Sequence, residues 1–202
     1  MNTLSVRALA DFVFRSGDLY PPFQGPRVEA IEGIETQQKL QQLRSENDPE
    51  YAAEVSVKHS VTLLNETCEL RGRMDGLSKS ATGTWIIEEY KSTRAENRPL
   101  DSVDHGQCLL YAGLWALRKN LCGSIVLRII YVHPDTLVEH SYEFFIDAGQ
   151  AVAQLILSLC CYESRMQRDL HRHQLRHKWA DSLLFPYGDF RPSQRAIARR
   201  VF

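Results

Sequence analysis

Apolar and polar positions recur with different periods along the chain, and those periods predict its elements. Near the N-terminus Leu4, Leu9, Phe12 and Val13 stand at helical spacing, so residues 3–15 are expected to form a helix stopped by Ser16-Gly17-Asp18. A proline-rich loop follows. Residues 27–46 carry only scattered apolar positions (Val28, Ile31, Ile34, Leu40, Leu43) and predict a long polar helix ended by Asn47-Asp48-Pro49. Residues 53–64 alternate as a strand does, and Asn65-Glu66 reads as a turn. Two more strands, residues 68–77 and 84–92, flank a Ser/Lys/Thr/Gly turn at 78–83.

A polar loop over 93–101 leads to Leu100-Asp101-Ser102, which caps a helix running to about Asn120 and ended by Cys122-Gly123. On that helix Leu110, Leu114 and Leu117 form an apolar stripe, and Gln107 and Tyr111, four apart, share it. Residues 123–132 and 137–146 predict a hairpin about His133-Pro134-Asp135-Thr136. Asp147 then caps a long helix reaching roughly Trp179, apolar in its first half and basic in its second; positions 151–160 are expected in the core. Strands and helices alternate too irregularly for a doubly wound sheet. The expected class is α/β, a central mixed β-sheet flanked by helices.

Composition narrows the picture only a little. With 202 residues, 44% apolar and 24% charged, the chain can build one real core. A net charge of −1 gives no global basic signature, so contact with nucleic acid has to come from local patches; the Arg/His-rich run 165–178 reads either as a solvated helix face or, if it borders the site, as a patch that attracts phosphates. No apolar run reaches membrane-spanning length, and no basic segment followed by an apolar one opens the chain, so neither a membrane span nor a signal peptide is expected. Five cysteines without a regular framework suit a reducing cytoplasm.

Candidate chemistry gathers on the two strands of residues 69–93, E-L-R-G-R-M-D-G-L-S-K-S-A-T-G-T-W-I-I-E-E-Y-K-S-T. Strand side chains alternate, so Glu89 and Lys91 point the same way, and hairpin pairing brings Asp75 beside them. Two readings stand at this point. Asp-Gly is a common turn signal and Glu-x-Lys a common solvated edge. Alternatively, two carboxylates sharing a small volume repel unless a hard divalent cation such as Mg²⁺ or Mn²⁺ joins them.

The order Asp75, then Glu89-Tyr90-Lys91, then Gln107-x-x-x-Tyr111 resembles the PD-(D/E)XK nuclease superfamily, and within it the RecB-like branch that includes the CRISPR-adaptation nucleases. The likeness covers roughly residues 25–145 and rests on G-R-M-D-G and E-E-Y-K-S-T. It implies a restriction-endonuclease-like core and metal-dependent hydrolysis of DNA phosphodiesters, the DNA expected single-stranded. Asp75 and Glu89 would hold Mg²⁺ or Mn²⁺ with the Tyr90 carbonyl, and Lys91 would position the attacking water. Gln107 and Tyr111 would steady the site and the DNA backbone. A catalytically silent nucleic-acid-binding or interaction module of the same fold is the alternative.

The branch carries a metal-binding His after a Gly on an early helix. Here E-G-I-E-T-Q-Q places Gln37 at that position, a weaker oxygen donor. Glu35 and Glu54 are lesser candidates. Several relatives also hold an iron–sulfur cluster on four cysteines, one before the core and three after it. This chain has none before the core and only Cys160-Cys161 late in the sequence, so no cluster is expected and the pair should pack as small apolar residues.

The end of the chain, G-D-F-R-P-S-Q-R-A-I-A-R-R-V-F, supports a short helix starting at Pro192. It also resembles the opening of XPD/DinG-like superfamily 2 helicase motors, in which a Gln, here Gln194, recognises adenine. That implies a nuclease-like domain over 1–187, the start of a motor over 188–202, and a role in DNA repair or processing beside a linked or associated helicase. No phosphate-binding G-x-G-K-[ST] loop occurs, so this chain alone should not hydrolyse ATP.

Overall fold

A computed structural model describes residues 2–16, 28–182, 193–194 and 196–197. The chain divides into two compact units, residues 1–159 and 160–202. The sheet and the three shorter helices belong to the first.

The N-terminus departs from its helical pattern. Asn2–Ser5 is a strand, β1, and the helix, α1, begins only at Val6 and runs to Phe14. The Ser5 hydroxyl caps it by accepting from the Ala8 amide at 3.0 Å. The polar helix α2 spans Ala30–Asn47. Its only fully buried apolar anchor is Leu40, which packs on Tyr90, Ile130 and Val132, while Ile31, Ile34 and Leu43 stay exposed. The strand β2 (Ala52–Leu63) turns through Leu64-Asn65 into β3 (Glu66–Lys79), and β4 (Trp85–Ser92) follows.

Helix α3 (Ser102–Lys119) is buried nearly all round from Gly106 to Ala116, as suits the central helix of the unit. The Asp101 carboxylate accepts from the Val103 amide at its start, and Asn120 closes it in the left-handed conformation, φ 50°. The strands β5 (Ser124–Val132) and β6 (Glu139–Asp147) form the expected hairpin. Helix α4 runs from Ala148 to Ser182. Its first turns lie tight against α3: a Cβ on Gly113 would come within 2.6 Å of the Ala151 carbonyl oxygen.

The expected mixed sheet is present, with six strands in the order β1-β3-β4-β5-β6 and β2 on the other edge of β3. β1 and β5 run parallel to their neighbours β3 and β4, and the remaining pairs are antiparallel. α2 covers the face bearing Tyr90 and Ile130, and α3 covers the opposite face bearing Ile87 and Tyr131. This is the restriction-endonuclease-like arrangement expected from the sequence.

One expectation is corrected. Within residues 151–160 only one stripe of α4 is in the core: Ala151, Leu155 and Ser158 are buried, whereas Ile156 and Leu157 are exposed. Cys160 and Cys161 are exposed as well, so they do not pack as small apolar residues. A 3.6-residue period cannot bury ten consecutive positions against one neighbour.

The boundary at 187 and most of 188–202 lie outside the described residues. Of that stretch, Ile197 donates its amide to the Ser193 carbonyl at 2.9 Å, one helical turn, and Gln194 lies within it. Among the described residues no helix is long and apolar enough to cross a membrane.

Candidate active site

The site is made by a split in the sheet. One edge of β3 is shared by two strands: Cys68–Arg71 pair with β1 and Gly76–Lys79 pair with β4. Residues 72–75 are left without a strand partner on that edge. β4 meanwhile continues past its last pair with β3, Gly76↔Glu88, and stays paired with β5 through Ser92↔Val132. The crevice between them has a volume of about 580 Å³ and is lined by Gln37, Asp75, Glu89, Tyr90, Lys91, Gln107 and Tyr111, among others. The seven residues assigned to the site from the sequence therefore line one cavity, whereas the lesser candidates Glu35 and Glu54 are not among its lining.

Asp75 sits at the root of the split. One carboxylate oxygen accepts from the Tyr90 amide at 2.8 Å and the other from Gln37 Nε2 at 3.1 Å. Tyr90 itself is pinned on the α2 face, where its hydroxyl donates to Glu88 at 2.5 Å and lies 3.0 Å from the Tyr51 hydroxyl. That anchor fixes the backbone that faces Asp75. Glu89, 2% exposed, turns to the α3 face. Its Oε1 accepts from Lys91 Nζ at 2.7 Å and from Gln107 Nε2 at 2.8 Å. Gln107 is in turn 3.4 Å from the Tyr111 hydroxyl, which also lies 3.4 Å from the Arg73 amide. Gly72 makes room for that tyrosine: a Cβ there would come within 2.5 Å of the Tyr111 ring.

The electrostatics show a site short of positive charge. Burial pushes the Glu89 carboxyl up to about 8 against the pull of Lys91, and burial also raises Asp75. Lys91 moves the other way from a simple buried amine. Burial works to lower its pKa, but the Glu89 and Asp104 carboxylates outweigh it and the ammonium is held.

These residues fit a hard divalent cation. Glu89 Oε2 is buried with no hydrogen-bond partner, an orphaned carboxylate oxygen in a crevice lined by a second carboxylate. The donors are all oxygens, as Mg²⁺ and Mn²⁺ prefer. Among the described residues no three His, Cys, Asp or Glu side chains converge on one point, so the carboxylate set is a pair. Gln37, the expected oxygen donor, lies beside Asp75 but presents its amide nitrogen to the carboxylate.

The structure also places beside the site Glu54, a lesser candidate, and Gln41 and Asp104, which the sequence did not single out. Glu54 lies directly across the β2–β3 ladder from Asp75, between the pairs Ala53↔Gly76 and Val55↔Met74. Its backbone is left-handed, φ 56°, a conformation costing about 1–2 kcal/mol in a non-glycine residue. There its side chain accepts from Gln37 at 2.7 Å and Gln41 at 3.0 Å and pairs with Arg73. Gln41 also donates to the Asp75 carbonyl at 2.8 Å. Asp104, 8% exposed, stands 3.6 Å from Lys91 Nζ, 3.5 Å from Arg98, and accepts from the Tyr131 hydroxyl at 2.8 Å. Glu35 is not among the residues lining the crevice.

Comparison with known proteins bears on the family and the fold. A family model described as the PD-(D/E)XK nuclease superfamily matches residues 8–195. Among solved structures, the crystal structure of SSO0001 is similar to this chain, with a TM-score of 0.50 and 18% sequence identity, covering 80% of this chain and 77% of that one. At that identity the likeness concerns the fold. No curated protein matches.

Proposed function

The chain belongs to the PD-(D/E)XK nuclease superfamily, and from that premise we propose that it is a metal-dependent deoxyribonuclease of RecB-like type. The observation that carries this reading is the triad at the split. Asp75 is held against the Tyr90 amide, Glu89 has an orphaned buried oxygen, and Lys91 Nζ is 2.7 Å from Glu89.

Asp75 and Glu89 would hold Mg²⁺ or Mn²⁺, with the Tyr90 carbonyl and the Gln37 amide as further oxygen donors. When bound, the cation supplies positive charge for the phosphate oxygens as charge builds during in-line displacement. Lys91 keeps its proton in this environment. It therefore serves as a hydrogen-bond donor and fixed charge that orients the attacking water and a phosphate oxygen, not as a general base. Gln107 donates to Glu89 and so holds the carboxylate's direction, while Tyr111 backs Gln107. Residues 1–187 form the nuclease domain in this reading. The segment 188–202 with Gln194 opens an XPD/DinG-like helicase motor, which would feed single-stranded DNA to the crevice during repair or processing.

A second reading has a specific observation in its favour. Gln37 stands where the RecB-like branch has a metal-binding His, and it presents a donor to Asp75. A silent DNA-binding module of the same fold would tolerate that. Incubation of single- and double-stranded DNA with Mg²⁺ or Mn²⁺ separates the two. Cleavage that disappears in Asp75→Ala and Glu89→Ala supports the nuclease; no cleavage by the purified chain under either metal supports the silent module.

A further inference from the structure

Arginines in the sheet-bearing unit are mostly neutralised. Arg15, Arg44, Arg73, Arg94, Arg98 and Arg128 each lie against at least one carboxylate. Arg118 donates to the Ser56 carbonyl at 3.1 Å and lies near the Trp115 ring. Arg7 and Arg71 differ: neither has a carboxylate partner among the described residues, and both line the crevice that holds Asp75, Glu89 and Lys91.

Their placement follows from the sheet. Arg71 is the last β3 residue paired with β1, opposite Ser5, and Arg7 lies two residues beyond Ser5 in the first turn of α1. Both residues thus stand where β1 and α1 meet the crevice, while Glu89 and Lys91 stand on β4. On its other side Arg71 faces Lys58 across the β2–β3 ladder. Like charges directly opposite on paired strands are unfavourable. Lys58 is relieved by Glu69 at 3.3 Å, and Arg71 has no such relief. Two arginines that line one open cavity and have no carboxylate partner among the described residues offer a site for an anion with oxygens on several sides.

We infer that Arg7 and Arg71 form a subsite for a non-scissile phosphate of the DNA strand whose cleavage is proposed above. Arg71 is four strand residues from Asp75, about 13 Å at the usual rise. At that separation along β3 the subsite is assigned to a phosphate neighbouring the one at Asp75 and Glu89. The subsite rests on the nuclease reading for its ligand but not for its test. It fixes the register of the strand in the crevice and carries no sequence information.

The test measures binding of a fluorescein-labelled oligothymidine to the whole chain in EDTA, so that cleavage plays no part. Arg7→Gln and Arg71→Gln are each expected to weaken binding about fivefold, the loss of one charge-assisted contact. The double variant should flatten the log Kd against log salt slope by roughly 1.4, at about 0.7 per contact on a single strand. A single neutral methylphosphonate linkage, moved along the oligonucleotide, should weaken binding to the unsubstituted chain at one position and cost the double variant nothing further there. Far-UV circular dichroism of the double variant, matching that of the unsubstituted chain, keeps the comparison between folded proteins. Unchanged affinity and slope in the double variant, or equal methylphosphonate penalties in both proteins, would overturn the subsite. So would inorganic phosphate competing as well, per phosphate, as the oligonucleotide, since the groove would then hold a free anion and not a strand. A chain that binds as expected but never cleaves keeps the subsite and loses the nuclease; one that cleaves with unchanged binding does the reverse.

Discussion

Asp104 on α3 stands 3.6 Å from the Lys91 ammonium. Lys91 is thus held between two carboxylates, Glu89 at 2.7 Å and Asp104. If Glu89 turns its charge to a cation, Asp104 is what keeps the lysine charged and aimed. Asp104→Asn can still accept from the Tyr131 hydroxyl but removes the charge. We expect kcat for DNA cleavage to fall about tenfold, the weight of one lost charge interaction, with KM unchanged. A KM rise without a kcat change would show that Asp104 acts on substrate binding instead.

The central triad is the sterner case. Asp75→Ala, Glu89→Ala and Lys91→Ala should each abolish cleavage while circular dichroism and gel filtration remain those of the unsubstituted protein. Residual cleavage by a rigorously purified Asp75 or Glu89 variant would sink the mechanism.

Asp75, Glu89 and Lys91 were legible in the sequence because their spacing on strands survives any error in the surrounding fold. Glu54 was legible only as a lesser candidate, since glutamates on exposed strands are common; its place beside Asp75 depends on one residue of register. Pairs in the β2–β3 hairpin sum to 129, from Leu63↔Glu66 outward, which puts Glu54 opposite Asp75. A turn placed at Asn65-Glu66 shifts that sum by two and moves Ser56 opposite Asp75, leaving Glu54 away from the site. The actual turn residues, Leu64 and Asn65, both have positive φ, 52° and 63°. Leucine is a poor signal for such a conformation. β1 was hidden differently: four residues have no pattern of their own, and the strand exists because Cys68–Arg71 offer an open edge. That same edge creates the crevice.

Gln37 tests how the acidic pair is managed. Its amide nitrogen donates to Glu54 at 2.7 Å and Asp75 at 3.1 Å, bridging carboxylates that otherwise face each other. Gln37→His keeps one donor at most and offers a better metal ligand. We expect metal-free stability to fall by about 1 kcal/mol, the net worth of a hydrogen bond, and Mn²⁺ binding by calorimetry to be at least as tight as before. Weaker Mn²⁺ binding would mean that the bridge, not the missing histidine, sets the site.

Gly72 carries a prediction about position. A methyl group there would lie 2.5 Å from the Tyr111 ring and 3.0 Å from Val6 Cγ2. Gly72→Ala should displace Tyr111, loosen Gln107 and lower cleavage, with a stability loss of about 1–3 kcal/mol from overpacking. The double variant Gly72→Ala/Tyr111→Leu should recover part of that stability. No recovery on thermal melting would place the strain elsewhere.

The pH dependence follows from Glu89. Burial raises its carboxyl to about 8 in the metal-free protein, so at neutral pH the group holds a proton that a cation must displace. The sign is fixed: below about 8 proton and metal compete, and above it the carboxylate is already ionised. Apparent Mg²⁺ or Mn²⁺ affinity should therefore rise about tenfold per pH unit up to that point and level off beyond it. Calorimetric titrations at pH 7 in buffers of different ionisation enthalpy should report close to one proton released per ion bound. In Glu89→Gln the release should vanish along with most of the binding. A metal affinity flat from pH 6 to 8 would show that Glu89 is already ionised in the metal-free protein, and that Lys91 alone is enough to hold its charge in the crevice.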